Sequence, residues 1–155
     1  MSLLRAKEYL KKYNLDDKIL TFDESSATVK LASIALGIEE GRIAKTLSFV
    51  VNDKYILIVS AGDVKIDNAK YKKEFGIKAK MIEYDMVEEK IGHKIGGVCP
   101  FGVNDGVLIY LDESLKKYDY VYPACGESNN AIKLFVSDLE KIINYEKWID
   151  VTKEL

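Results

Sequence analysis

The run Tyr55-Ile56-Leu57-Ile58-Val59 constrains this fold more than any other stretch of the chain. Near-continuous apolar, β-favouring character with no polar alternation describes a strand covered on both faces, so the chain must supply layers on either side of it. A second β-rich run, Ile43 to Val51, comes just before it. The residues between them, Asn52 and Asp53, are turn residues, and the two runs together read as a β-hairpin.

The remaining segments are candidates for the covering layers. Leu3, Ala6, Leu10 and Tyr13 recur at helical spacing with Lys7, Lys11 and Lys12 on other faces, which predicts a surface helix over residues 3–13. Lys18 to Phe22 reads as a short strand, and Asp23 to Thr28 supplies turn and N-cap chemistry. A helix from Val29 to Leu36 follows, closed by Gly37. Asp67 is placed to cap a lysine-rich helix ending at Gly76, and Ile77 to Ile82 reads as another short strand. Asp85 with Glu88 makes a capping-box-like start for a small helix stopped by Gly92. Gly106 to Leu111, Tyr120 to Tyr122 and Ala131 to Phe135 read as strands, with a helical turn over residues 112–117. Ser137 with Glu140 is the expected cap of the last long helix, and Trp148-Ile149 packs the tail onto the body. Helices and strands are mixed without a regular βαβ repeat. The expectation is an α+β fold, a mixed central β-sheet with flanking helices, in a single domain over residues 1–155.

Composition excludes several classes. A net charge of -2 argues against the basic stripe that broad binding of duplex nucleic acid requires. The lysines between Lys65 and Lys80 and the acidic residues between Glu83 and Glu89 read as solvated helix faces. No apolar run approaches a membrane span, and the first residues lead into a charged amphipathic pattern rather than an export signal, so the expected location is the cytoplasm, with no membrane partner. There, Cys99 and Cys125 are expected as two free thiols.

Chemistry is concentrated in Gly96-Gly97-Val98-Cys99-Pro100-Phe101-Gly102. Three glycines and a proline in seven residues cannot form an element interior, and the apolar Ile95, Val98 and Phe101 place this loop against a core or along a pocket. Composition leaves both a tight connector and a backbone-lined site open. Lys45 is unusual just inside the start of a strand; it is either an edge lysine whose stem snorkels to water or a functional cation. The single histidine, His93, with Cys99, Cys125 and a carboxylate matches none of the usual zinc spacings. A Cys99–His93 hydrolase is better motivated, but Pro100 removes the next backbone N–H, which often completes an oxyanion hole. The chain has no GxGxxG, Walker-type loop, HExxH or GxSxG, so neither cofactor nor metal is expected.

Three segments carry a resemblance: Arg42-Ile43-Ala44-Lys45-Thr46-Leu47, then Ser60-Ala61-Gly62-Asp63 with Val64 and Asp67, then Gly92-His93-Lys94-Ile95 leading into the glycine loop. With them the chain resembles the YbaK/EbsC family of free-standing aminoacyl-tRNA deacylases, which is similar to the editing insertion domain of bacterial prolyl-tRNA synthetases. The resemblance implies trans-editing hydrolysis of the ester of a misacylated tRNA, typically tRNA for proline carrying a small amino acid such as alanine or cysteine. The implied partners are an aminoacyl-tRNA acceptor end and a synthetase. Lys45, Gly96 and Gly97 are the implied catalytic residues, the lysine as a positioning cation and the G-x-x-x-P segment Gly96 to Pro100 as the pocket wall. The tRNA 2′-hydroxyl or a bound water would carry the proton. Implied substrate contacts are Phe22, Thr28, Thr46 and His93, with Val98, Cys99, Pro100, Gly126 and Asn129 completing the set. Relatives specific for cysteinyl-tRNA carry a tyrosine where this chain has Phe22 and an aspartate where it has Ala131, which makes alanine or another small amino acid as fitting a substrate as cysteine. A non-catalytic module holding an acceptor end or an aminoacyl adenosine is the alternative on the same fold.

Overall fold

A computed structural model describes residues 2–23 and 28–155. In chain order the elements are α1 (Ser2–Lys11), β1 (Leu20–Thr21), α2 (Val29–Leu36), β2 (Ile43–Val51), β3 (Lys54–Ser60), β4 (Val64–Ile66), α3 (Asn68–Phe75) and α4 (Val87–Ile91). There follow β5 (Leu108–Asp112), β6 (Tyr120–Pro123), β7 (Asn130–Ala131), β8 (Leu134–Phe135), α5 (Val136–Ile142), β9 (Trp148–Ile149) and β10 (Thr152–Glu154). β2 and β3 form the expected hairpin, closed by Val51 opposite Lys54. Asn52 takes a φ of 56°, a left-handed conformation that its short polar side chain tolerates.

The hairpin is the centre of a six-stranded sheet of order β8-β6-β2-β3-β5-β9. β2–β3 and β6–β8 are antiparallel, whereas β2–β6, β3–β5 and β5–β9 are parallel, so the sheet is mixed and the fold is α+β. β3 is buried on both faces, with Ile56, Leu57, Ile58 and Val59 at most 1% exposed. Each such side chain stabilises the fold by roughly 1.5–3 kcal/mol relative to leaving it in water. Leu57 and Val59 join the larger core with Leu10 of α1, Ile91 of α4, Leu139 of α5 and the loop residue Phe101. Ile56 and Ile58 meet a smaller core on the other face, built on Tyr71 of α3. There, Phe49, Tyr71, Phe75 and Tyr110 form a chain of rings with successive centroids 5.2, 4.7 and 5.2 Å apart.

Local signals set several boundaries as read. The Thr28 hydroxyl accepts from the Leu31 N–H, and the Asp67 carboxylate accepts from the Lys70 N–H, each capping its helix. Other expectations give way to tertiary structure. Ile77 to Ile82 is not a strand: it touches the sheet through one bridge, Phe49 to Met81. The Lys18 to Phe22 run reduces to Leu20–Thr21, paired with β7 and preceded by a 3₁₀ turn at Asp16–Lys18. Ala131 to Phe135 is divided, because Ala131 pairs with β1 and Leu134 with β6. Neither Asp85 nor Ser137 caps a helix; a 3₁₀ turn at Tyr84–Met86 carries the chain into α4, and Ser137 lies inside α5. Residues 24–27 of the expected cap segment lie outside the described residues. The tail packs onto the body through β9 and also through β10, which pairs with β4. The buried Asp112 carboxylate fixes this tail by accepting from the Val151 N–H, the Thr152 hydroxyl and the Ser114 N–H. Both cysteines are free and buried. Among the described residues no helix is long and apolar enough to cross a membrane.

Candidate functional site

The sheet has a gap, and the gap is the site. β6 runs beside β2 only at Ile43 and Ala44 before it diverges. On the same edge, the extended segment at Lys80–Ile82 joins β2 further along: Val50 N–H donates to the Lys80 carbonyl at 2.8 Å, and Ile82 N–H donates to the Ser48 carbonyl at 3.2 Å. Between the two lies a cleft of about 500 Å³. Its floor is β2 from Ile43 to Ser48, one wall is Met81, Ile82, Tyr84 and Val87, and the facing wall is Tyr122, Ala124, Asn130 and Ala131. Thr28, Val29 and Ala32 of α2 and Ile95, Gly96 and Val98 of the glycine loop complete it. The lining is overwhelmingly apolar with a few convergent polar groups, the usual make-up of a small-ligand site.

Lys45 is the one lysine in this lining. It is half-buried, and its ammonium donates to the Val64 carbonyl. Burial pushes its pKa below the ordinary lysine value, and the negative charge of Asp63 pulls it back up. Asp63 is itself held: its Oδ2 accepts from the Tyr118 hydroxyl at 3.0 Å. Its Oδ1 is buried and has no hydrogen-bond partner among the described residues. So the cation stands at the cleft wall with a carboxylate behind it. The sequence segments around Lys45 and Ser60 to Asp63 come together because Lys45 faces Ser60 across the β2–β3 ladder.

The glycine loop contributes less to the cleft than its composition suggests. Gly96, at a φ of 87° that other residues rarely adopt, and Val98 line the wall. Gly97 does not. Its N–H donates to the Lys94 carbonyl at 3.0 Å, and the space a side chain would occupy is filled by the backbone of Gly126 and Glu127. Gly126 in turn rests against the Ser2 backbone at the start of α1. Gly97 and Gly126 are therefore contact points between backbones rather than parts of the lining.

The other sequence-derived candidates divide sharply. Thr28 and Thr46 line the cleft, although the Thr28 hydroxyl is engaged in capping α2. His93 does not reach it; the ring is fully buried, with Nδ1 2.8 Å from the Ser2 hydroxyl and Nε2 2.6 Å from the Phe101 carbonyl. An acceptor at Nε2 requires the proton there, so Nδ1 accepts from Ser2, and the ring is neutral, its pKa pushed down chiefly by burial. His93 thereby ties the glycine loop to α1. Cys99 is also fully buried, with Sγ 3.5 Å from His93 Nε2, and burial pushes its thiol up to about 12. A protonated thiol beside a neutral, Nε2-protonated imidazole is neither nucleophile nor accessible, which removes the geometric basis for a Cys99–His93 hydrolase. Pro100 opens onto a different depression beside Arg5 and Val103. Phe22 and Asn129 are joined by their backbones, Phe22 N–H donating to the Asn129 carbonyl at 2.7 Å, and neither is on the cleft wall. Sequence reasoning did not single out Met81, Tyr84 or Tyr122, whose apolar surfaces carried no signal beyond ordinary core or surface positions.

Comparison with known proteins identifies the family. The family model for the aminoacyl-tRNA editing domain matches residues 23–142, and the chain belongs to that family. It is 45% identical over 155 residues to the uncharacterized protein YwhH of Bacillus subtilis (strain 168), covering 99% of both chains. It is 21% identical over 136 residues to a proline--tRNA ligase of Bacillus cytotoxicus, where the match takes in 87% of this chain but 23% of the ligase. The crystal structure of a protein provisionally described as a trans-editing enzyme for prolyl tRNA synthetase superposes with a TM-score of 0.87 at 28% identity, covering 98% of this chain and 97% of that one.

Proposed function

We propose that the chain hydrolyses the ester linking a small amino acid to the 3′-terminal adenosine of a misacylated tRNA, acting in trans and in the cytoplasm, with tRNA for proline as the carrier. The observation that carries this reading is the cleft that brings Lys45, Gly96 and Val98 to one apolar enclosure at the open edge of β2. Ester hydrolysis needs a positioned water, stabilisation of a developing oxyanion and a closed site, and no group in this list has to be a metal or a nucleophilic side chain. Lys45 serves as the positioning cation, close to the ribose and terminal phosphate. Alanine or cysteine fits a cleft whose walls include Ala32, Ala44, Ala124 and Ala131, because an apolar enclosure rejects larger side chains by overlap. The relation to proline--tRNA ligase and to the provisional trans-editing enzyme supports the choice of tRNA and a synthetase as partner.

Incubation with alanyl-, cysteinyl- and seryl-tRNA for proline is the direct test. Release above the spontaneous rate from at least one is expected, and release from none of them refutes the reading. Tight binding of a non-hydrolysable aminoacyl adenosine without any turnover would instead identify a non-catalytic module. Lys45→Ala is expected to lower kcat/KM by roughly 10²-fold, the usual scale for one electrostatic contact to a transition state, while leaving the fold intact.

A further inference from the structure

One residue of the cleft floor is bare backbone. In the β2–β3 hairpin the two-residue turn makes Val51, Phe49, Leu47 and Lys45 direct their backbone groups toward β3, so the residues between them direct theirs to the outer edge. The contacts of Ser48 and Val50 with Ile82 and Lys80 show this parity directly. β6 pairs as far as Ala44 and the Lys80–Ile82 segment begins at Ser48, which leaves Thr46 between them. Its N–H and carbonyl point side by side into the cleft, and neither has a hydrogen-bond partner among the described residues. Such an edge is a template for one more strand residue.

An aminoacyl ester contains one such residue. Its α-ammonium is a donor and its ester carbonyl oxygen an acceptor, separated by a single tetrahedral carbon, the same arrangement that an extended residue presents to its partner in a hydrogen-bonded antiparallel pair. We propose that Thr46 binds the amino-acid moiety of the substrate through its backbone, its N–H donating to the ester carbonyl oxygen and its carbonyl accepting from the α-ammonium. This rests on the deacylase reading and specifies how the amino acid is held. The N–H then faces the oxygen that becomes the oxyanion, a donor the glycine loop cannot supply from Gly97, whose N–H is taken by Lys94. Recognition through the backbone also leaves the substrate side chain to be sorted by the apolar walls alone.

Thr46→Pro removes the N–H without breaking the β3 ladder, to which Thr46 does not contribute, and proline is tolerated on sheet edges. It should lower kcat by about 10²–10³-fold in a folded protein, the cost of one oxyanion donor. Thr46→Val keeps both backbone groups and loses only the hydroxyl, so its kcat should exceed that of Thr46→Pro by at least about tenfold. A folded Thr46→Pro that turns over like the parent overturns the proposal, as does a Thr46→Val that falls as far as Thr46→Pro. A second measurement does not depend on either variant folding: titration of the unmodified protein with alanyl-adenosine carrying an amide in place of the ester, followed by ¹⁵N NMR. The Thr46 amide should shift downfield and exchange more slowly. An unmoved Thr46 amide at saturation, or no binding of the analogue at all, refutes the pairing. Absence of turnover on every aminoacyl-tRNA refutes the deacylase reading separately, since the amide shift reads the pairing without catalysis.

Discussion

Gly97→Ala is the sharpest test of how the loop is built. Gly97 has no left-handed φ to defend, so an alanine there meets only a steric problem. Its Cβ would stand 2.3 Å from the carbonyl carbon and oxygen of Gly126 and 2.5 Å from the Glu127 nitrogen. These are backbone atoms, and ordinary contact begins near 3.4 Å, so one loop must retreat by about 1 Å. Gly126 cannot yield easily: a Cβ on its own far side would lie 2.4 Å from the Ser2 carbonyl oxygen, so α1 stands directly behind it. Overpacking of this kind costs roughly 1–3 kcal/mol. For a domain of this size that corresponds to a fall in Tm of about 3–10 °C. Displacement of Gly97 also drags Gly96 and Val98, so kcat/KM should fall with stability. Thermal unfolding followed by circular dichroism, with urea midpoints as a second measure, reads the first effect and single-turnover deacylation the second. A Tm within about 1 °C of the parent would show that the two loops are not in backbone contact, and the account of Gly97 as a packing residue would be wrong.

Two further outcomes follow from the charges and thiols. Burial holds the Lys45 pKa below 10.5 while Asp63 opposes that shift, so the ammonium is present below the lowered value and lost as pH rises through it; deacylation, corrected for spontaneous hydrolysis, should decline on the alkaline side before pH 10.5. Asp63→Asn removes the opposing charge and should move that limb to lower pH in the pH–rate profile, and an unmoved limb would separate Asp63 from Lys45. With its thiol pushed up to about 12, Cys99 should be roughly 10⁻⁴ thiolate at pH 8 as well as enclosed, so iodoacetamide should label it only after unfolding and leave activity intact. Rapid labelling of the native protein would contradict the burial.

What the sequence revealed was what short-range chemistry decides. Asn52-Asp53 announced the hairpin, Thr28 and Asp67 announced helix starts, and the run from Tyr55 to Val59 announced a doubly covered strand. Ile77 to Ile82 has strand composition but finds on β2 an edge already partly shared, and it keeps one bridge there. Thr152–Glu154 pairs with β4 across almost ninety residues, a partnership no local pattern encodes. At the site, Lys45 stood out because a cation at a strand start is costly. His93 and Cys99 stood out because of their chemistry, but burial decides whether such groups react, and here it gives them to the packing of α1 on the loop. Thr46 carried no compositional signal, since what sets it apart is the partner its backbone lacks.

The gap beside β2 also bears on how the chain behaves while it is being made. Its walls come from residues 28–32, 43–48, 81–98 and 122–131, so the cleft is assembled from segments spread over most of the chain. Until Tyr120–Pro123 has left the ribosome, the outer edge of β2 has no neighbour at Ile43 and Ala44 either, and the opening is wider by the length of that pairing. An unfinished chain thus exposes a sticky strand edge that the finished one narrows to a single residue recessed in a cleft. Once β6 arrives it covers Ile43 and Ala44, closing most of that edge to pairing with other copies and leaving room beside Thr46 for no more than a short extended segment.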